Sequence, residues 1–148
     1  MRPLMTMAAV MLVCVLSVQA QDGASVPVID ATDVEQLKAN LDKDVIIRGK
    51  VSKAAWSNTG RVMEIRFEGV TDPKGFTAVV FDRNRQALDE AYGGDLAQTL
   101  TGALVQIKGK LRTYGGRAES LQGRIELTIT QGSQITLIEP APSTQPIE

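Results

Sequence analysis

Two runs in this sequence alternate cationic with apolar side chains. Arg48 and Lys50 fall on the opposite parity from Ile47 and Val51, and Lys108, Lys110 and Arg112 fall on the opposite parity from Ile107 and Leu111. Successive side chains on a β-strand point to opposite faces, so each run presents cations on one side and apolar residues on the other. Cations in such a row can follow a phosphate backbone. The same pattern also arises when outward strand positions are merely solvated and lysines blunt an exposed edge. A second set lies near connections between runs. Trp56 lies in the first connection, with Lys53 and Arg61 close by and the turn cluster Ser57-Asn58-Thr59-Gly60 after it, Arg66 projects from the next run, and Tyr114 and Arg117 lie in a later connection. Aromatics beside cations can stack and clamp a short strand, a sugar or a peptide. The plainer alternative is that Trp56 folds over a barrel mouth.

Other chemistries are closed off by composition. The 148 residues contain no histidine and one cysteine, Cys14. Zinc sites built on Cys or His, and Ser-His-Asp or Cys-His nucleophiles, are thereby excluded. Asp89 and Glu90 are adjacent on a helical stretch and diverge, while Glu64, Glu68 and Glu126 read as charge balance on an outer sheet surface. No carboxylate pair shows a sequence basis for a raised pKa. Asp30, Asp33 and Glu35 resemble a calcium cluster, yet their place at a helix start fits the dipole better and no EF-hand spacing follows. The expectation is a binding protein, without catalysis, cofactor or metal.

Residues 1–20 have the layout of a secretory signal peptide. A basic head, Met1-Arg2-Pro3, precedes the uncharged run Leu4 to Leu16, and Val18-Gln19-Ala20 offers small residues for cleavage after Ala20. The run is short for a membrane span. A secreted or periplasmic location is expected. Cleavage would remove Cys14 and Arg2, leaving 15 basic residues against 17 acidic ones, a net charge of −2. Strong non-specific nucleic-acid binders usually carry a clear basic excess, so any positive surface here must be local.

The elements that would position these groups follow from periodicity. Residues 21–43 read as an extended lead-in and a helix, with Thr32 and Glu35 as a capping box and Val34, Leu37 and Leu41 on one face. Period-two runs cover Val45–Ser52 and Val62–Glu68, and Phe76–Phe81 is nearly all apolar. Asp82 is expected to cap a helix carrying Leu88 and Tyr92, ended by Gly93-Gly94, with Asp95–Leu100 adding a turn. Strands at 104–112 and 125–129 and an extended piece at 134–138 follow, and the Pro-rich tail 140–148 is expected to be disordered. The fold class is therefore all-β with one or two short helices, a five-stranded Greek-key barrel of the OB type over residues 44–139. Mid-strand Gly49 and Gly109 would permit the coiling and bulges of a small barrel. A β-sandwich or open sheet is the alternative.

The run Val45-Ile46-Ile47-Arg48-Gly49-Lys50-Val51 resembles the first strand of nucleic-acid-binding OB domains, and Val105-Gln106-Ile107-Lys108-Gly109-Lys110-Leu111 resembles their fourth. Tyr114-Gly115-Gly116-Arg117, leading to Ile125-Glu126-Leu127, is similar to the end of small secreted bacterial OB domains of the tRNA-anticodon/helicase-like type. The resemblance covers roughly residues 44–138. It implies that the two cationic runs are neighbours, so that Arg48, Lys50, Lys108, Lys110 and Arg112 form one outer stripe with Lys53 near its end. It also implies single-stranded nucleic acid as partner, at modest affinity, because aromatics for stacking are scarce. A protein partner of the cell envelope, or a small polar ligand or oligosaccharide, is the alternative.

Overall fold

The computed structural model describes residues 25–143. Residues 1–20, where a signal peptide is expected, and the tail beyond Ser143 lie outside the described residues. Three short helices and seven strands run in the order β1 (Val28–Asp30), α1 (Val34–Ala39), β2 (Asp44–Trp56), β3 (Val62–Phe67), β4 (Thr77–Phe81), α2 (Arg85–Ala91), α3 (Leu96–Leu100), β5 (Leu104–Thr113), β6 (Ile125–Thr128) and β7 (Ile135–Glu139). Single 3-10 turns precede α2, β6 and β7. β2, β3 and β4 form an antiparallel meander, β4 pairs in parallel with β6, β6 pairs with β5, and β5 returns to β2. That closed circuit is the five-stranded OB barrel expected from the order of elements. β1 and β7 are additions, β1 parallel to β2 and β7 antiparallel to β5.

Closure depends on β2. Residues Asp44 to Lys50 bond to β5, and Val51 to Trp56 bond to β3. The register shifts between Val51 and Lys53, so the bulge sits at Ser52. The bulge expected at Gly49 or Gly109 is absent, since Gly49 pairs regularly with Val105 and Gly109 with Val45. Gly49 serves close approach instead: a Cβ there would stand 2.8 Å from Cδ1 of Phe67 and 3.0 Å from Cβ of Ala31. Gly109 is crowded in the same way by Leu127, at 2.9 Å.

The parity read from sequence puts Val45, Ile47, Val51, Met63, Ile65, Phe67, Val105, Ile107 and Leu111 inside, and all are buried. Phe67 stacks tilted on Phe76 at 5.3 Å between ring centres. β4 is buried on both sides, because outward-facing Thr77 and Val79 are only 6% and 2% exposed. The lead-in joins this core through Ile29 and Leu37, and α1 provides the crossover that parallel β1 and β2 require. At the other end, Ala141 packs against the core, so the tail is laid against the body at least that far.

Two expected caps are relocated. Asp30 accepts hydrogen bonds from both the backbone N–H and the hydroxyl of Thr32, at 2.8 and 2.6 Å. This occupies Thr32, and Asp33 caps α1 by accepting from the N–H of Gln36. Asp82 lies inside a 3-10 turn, with its carboxylate on the N–H of Arg83, and α2 begins three residues later. Asp95 caps α3 through the N–H of Ala97. Tyr92 ends α2, and its hydroxyl reaches the carbonyls of Gly132 and Ile135 at 2.9 and 2.8 Å, fastening the helix to the start of β7.

Replacing Gly49 by Ala is expected to lower unfolding free energy by about 1–3 kcal/mol, the usual cost of overpacking a filled core. Urea denaturation measures it. Trimming Phe67 to Leu in the same chain should return part of the loss, and an undiminished midpoint in Gly49→Ala alone would contradict the close approach.

Candidate nucleic-acid interface

The outer surface of β2, β3, β4, β6 and β5 forms one continuous face, whose residues follow from strand register. One row across it contains Ala55, Glu64, Val79 and Thr128, each paired with the next. In the adjacent row Lys53 pairs with Arg66, Thr77 with Glu126, and Glu126 with Arg112. Cations therefore stand at both margins, and carboxylates stand within.

An ion cluster fills the centre. Arg124, at the foot of β6, is only 5% exposed. Its Nη1 donates to Oε1 of Glu64 at 2.7 Å, its Nε donates to Oε1 of Glu126 at 2.9 Å, and its Nη2 also donates to that Glu126 oxygen. Arg66 donates to the other Glu64 oxygen at 3.0 Å. Two guanidinium groups and two carboxylates cancel. Burial pushes the Glu64 carboxyl up, but the hydrogen bonds and charges of Arg124 and Arg66 outweigh it and hold the group below its ordinary value. For Arg124, burial acts against the charge, and the bonds to Glu64 and Glu126 more than restore it.

Cavities open on this face. Lys53, Trp56, Glu64 and Arg66 line one of about 370 Å³, toward the β2–β3 turn. Glu64, Arg66, Thr77 and Arg124 line another of about 230 Å³, toward the β3–β4 connection. Across the face, Lys110 and Arg112 border a third with Phe81 and Arg83.

Three part-exposed aromatics rim the face, and each has an arginine over one side of its ring. Arg85 lies 4.6 Å from the ring centre of Trp56, Arg83 lies 5.1 Å from Phe81, and Arg124 lies 5.6 Å from Tyr114. Tyr114 folds back over Gly116, where a Cβ would come within 2.1 Å of the Tyr hydroxyl. Gly116 is required there by close approach.

The structure divides the expected stripe. Arg48, Lys50, Lys108 and Lys110 do share the outer side of the β2–β5 ladder, but Arg48 faces Gln106, Lys108 faces Ile46 and Lys110 faces Asp44. Asp30 of β1 lies beside Arg48, and Lys50 pairs with Glu68 at 3.4 Å. This is a mixed, solvated surface, interrupted by acids. Arg112 has passed to the other sheet opposite Glu126, and Lys53, beyond the bulge, lies opposite Arg66. Trp56, expected in the first connection, is the last residue of β2, and α2 brings Arg85 over it. Arg61 and Arg117 are exposed in the loops. The sequence reading brought Lys53, Trp56, Arg66, Lys110, Arg112 and Tyr114 to the face and missed Arg124, Arg83, Arg85 and Phe81. Parity held the signal for Arg124, since it is two residues before Glu126 at the start of a strand.

Arg124→Met leaves two carboxylates facing each other without their shared partner. The expected cost is about 3 kcal/mol, measured by urea denaturation. Because the folded-state pKa of Glu64 is depressed, its stabilising contribution is present above the ordinary value of 4.5 and lost as pH falls below that toward the folded value. Wild-type stability should thus decline on acidification below that point, and Arg124→Met should decline less; equal acid limbs would show that the cluster contributes nothing.

No family model matches the chain, and no curated protein matches it. Among solved structures it is similar to a protein described as an aspartyl-tRNA synthetase from Leishmania major Friedlin, with a TM-score of 0.53 and 20% identity over 88% of this chain and 24% of that one. It is also similar to asparaginyl-tRNA synthetase from Pyrococcus horikoshii complexed with asparaginyl-adenylate, with a TM-score of 0.47 and 20% identity over 74% of this chain and 22% of that one. The Cdc13 DNA-binding domain complexed with a single-stranded telomeric DNA 11-mer matches with a TM-score of 0.44 and 13% identity, over 82% of this chain and 75% of that one. The chain spans about a quarter of the synthetases it matches. What the first of these shows is the fold: an OB barrel that accounts for nearly all of the described residues.

Proposed function

We propose that this chain is an exported, non-catalytic OB module that binds single-stranded nucleic acid with modest affinity across the outer face of β3, β4 and β6. The observation that carries the reading is the arrangement of cations at both margins of that face, Lys53 and Arg66 on one and Arg83, Lys110 and Arg112 on the other. Four strand spacings separate β2 from β5, a span of about 19 Å. That suits a short stretch of roughly four nucleotides, the low end for OB domains. Arginine planes resting on Trp56 and Phe81 offer surfaces on which bases stack. Affinity is held down by the carboxylates of Glu64 and Glu126 at the centre, where phosphates cannot settle. The absence of histidine, and the downward shift of Glu64 and Asp30, support a role without acid–base catalysis. Export rests on the signal-like pattern of residues 1–20.

A second reading has one observation in its favour. The two cavities beside the Glu64–Arg66 pair present both signs of charge and no net charge from the cluster, which suits an uncharged polar ligand such as an oligosaccharide, or a polar segment of an envelope protein.

Fluorescence anisotropy with a labelled single-stranded oligonucleotide separates the two. Expected is a dissociation constant on the order of micromolar at low salt, with log K falling against log salt at a slope of roughly −2 to −3.5 for three to five phosphate contacts. Lys53→Ala should weaken binding to all sequences alike and reduce the slope by about 0.7. Binding that ignores salt, or none at high micromolar protein, would end this reading; salt-independent binding of an oligosaccharide would establish the second.

A further inference from the structure

Phe81, Arg83, Lys110, Arg112, Thr128 and Thr130 enclose a cavity of about 410 Å³ at the β5 margin of the face. Three of the six side chains are cationic, two carry hydroxyls and none is acidic. Among the described residues, no carboxylate lies within ion-pair distance of Arg83, Lys110 or Arg112. Glu126, the ladder partner of Arg112, is committed to Arg124. Asp82, between Phe81 and Arg83, has its carboxylate on the N–H of Arg83 at 2.8 Å, and the exposed Asp42-Lys43-Asp44 segment lies beside β5. It is held there by bonds from the N–H of Asp42 to Leu111 and from the N–H of Leu111 to Lys43, and Asp44 stands opposite Lys110.

We infer that this cavity is a phosphate-monoester pocket, and that within the proposed function it receives the phosphorylated end of a strand. Two arguments support an end over an internal phosphodiester. A monoester carries a charge of about −1.5 to −2 and three acceptor oxygens, which matches three cations and the Thr128 hydroxyl better than a single negative charge does; the Thr130 hydroxyl already donates to Oε1 of Gln134 at 3.0 Å. An internal phosphate also needs a path out on both sides. One side opens on the face; the other leads over Asp42 and Asp44, whose charges oppose a continuing backbone. A chain end needs only the first path. Phe81, with Arg83 over its ring, supplies a surface for the terminal base.

The inference rests on the single-strand reading, and the test separates the two. Unlabelled oligonucleotides of one sequence, ending in hydroxyls, in a 5′-phosphate or in a 3′-phosphate, compete with an internally labelled strand, and thymidine 5′-monophosphate is a fourth competitor. Expected is displacement by one of the two phosphorylated oligomers at concentrations lower by at least about fivefold. Lys110→Gln with Arg112→Gln should erase that difference, as should Arg83→Gln made separately, with melting temperatures confirming that each variant folds. Equal displacement by all three oligomers would overturn the pocket and leave the single-strand reading standing. Displacement by the mononucleotide as strong as by the phosphorylated oligomer would assign the pocket to free nucleotide and overturn the strand-end assignment. If no oligonucleotide binds, the single-strand reading falls. The pocket is then decided by whether the mononucleotide raises the melting temperature of the wild type and of neither variant; no rise overturns it too.

Discussion

β2 belongs to two sheets at once, and the geometry of the molecule descends from that sharing. Its first seven residues bond to β5, and Val51 and Lys53 to Trp56 bond to β3, with Ser52 left unpaired in that ladder. A strand that long can serve both partners only if it bends sharply over the core. The bend needs a local surplus of backbone at Ser52 and a missing side chain at Gly49, where the Phe67 ring fills the corner. Any larger residue there would push the two sheets apart. The same bend turns Lys53 toward Arg66 while leaving Arg48 on the opposite side of the barrel, so a single backbone feature decides which cations can act together.

The face produced this way is organised around a buried arginine. Removing a guanidinium from water is costly, and the energy is recovered only when every donor finds an acceptor in good geometry. Arg124 gives each of its three side-chain nitrogens a carboxylate acceptor, from two carboxylates, one of which also holds Arg66. Such clusters contribute little net stability against an apolar replacement; their effect is on arrangement. Here the cluster ties Glu64 of β3 to Glu126 of β6 and places a cation 5.6 Å from the ring centre of Tyr114. It also makes the middle of the face electrically quiet, so attraction for a polyanion comes from the margins.

Much of this was legible in sequence because strand parity is a short-range rule. Alternation at Val45–Val51, Met63–Phe67 and Val105–Leu111 identified the interior, and the apolar run at 76–81 signalled a strand covered on both sides. Three-dimensional competition was less visible. Thr32 looked like a helix cap, but Asp30 took its hydroxyl and Asp33 supplied the cap. The cationic stripe looked continuous because both strands alternate correctly; the acids that break it come from β1 and from β2 itself, placed there by register. Trp56 seemed a loop residue because Ser57 to Gly60 follows it, although the ladder with β3 extends through it. Arg124 drew no notice because it lies one residue before its strand, although it shares parity with its partner Glu126, and its other partner, Glu64, is 60 residues away.

β1 and β7 border the barrel on the sheet that lies across the core from the proposed face. The first and the last described strands thus both lie at the rear of the molecule. Neither edge strand crosses the front of the barrel, so neither stands in the way of a long, flexible ligand approaching the proposed face.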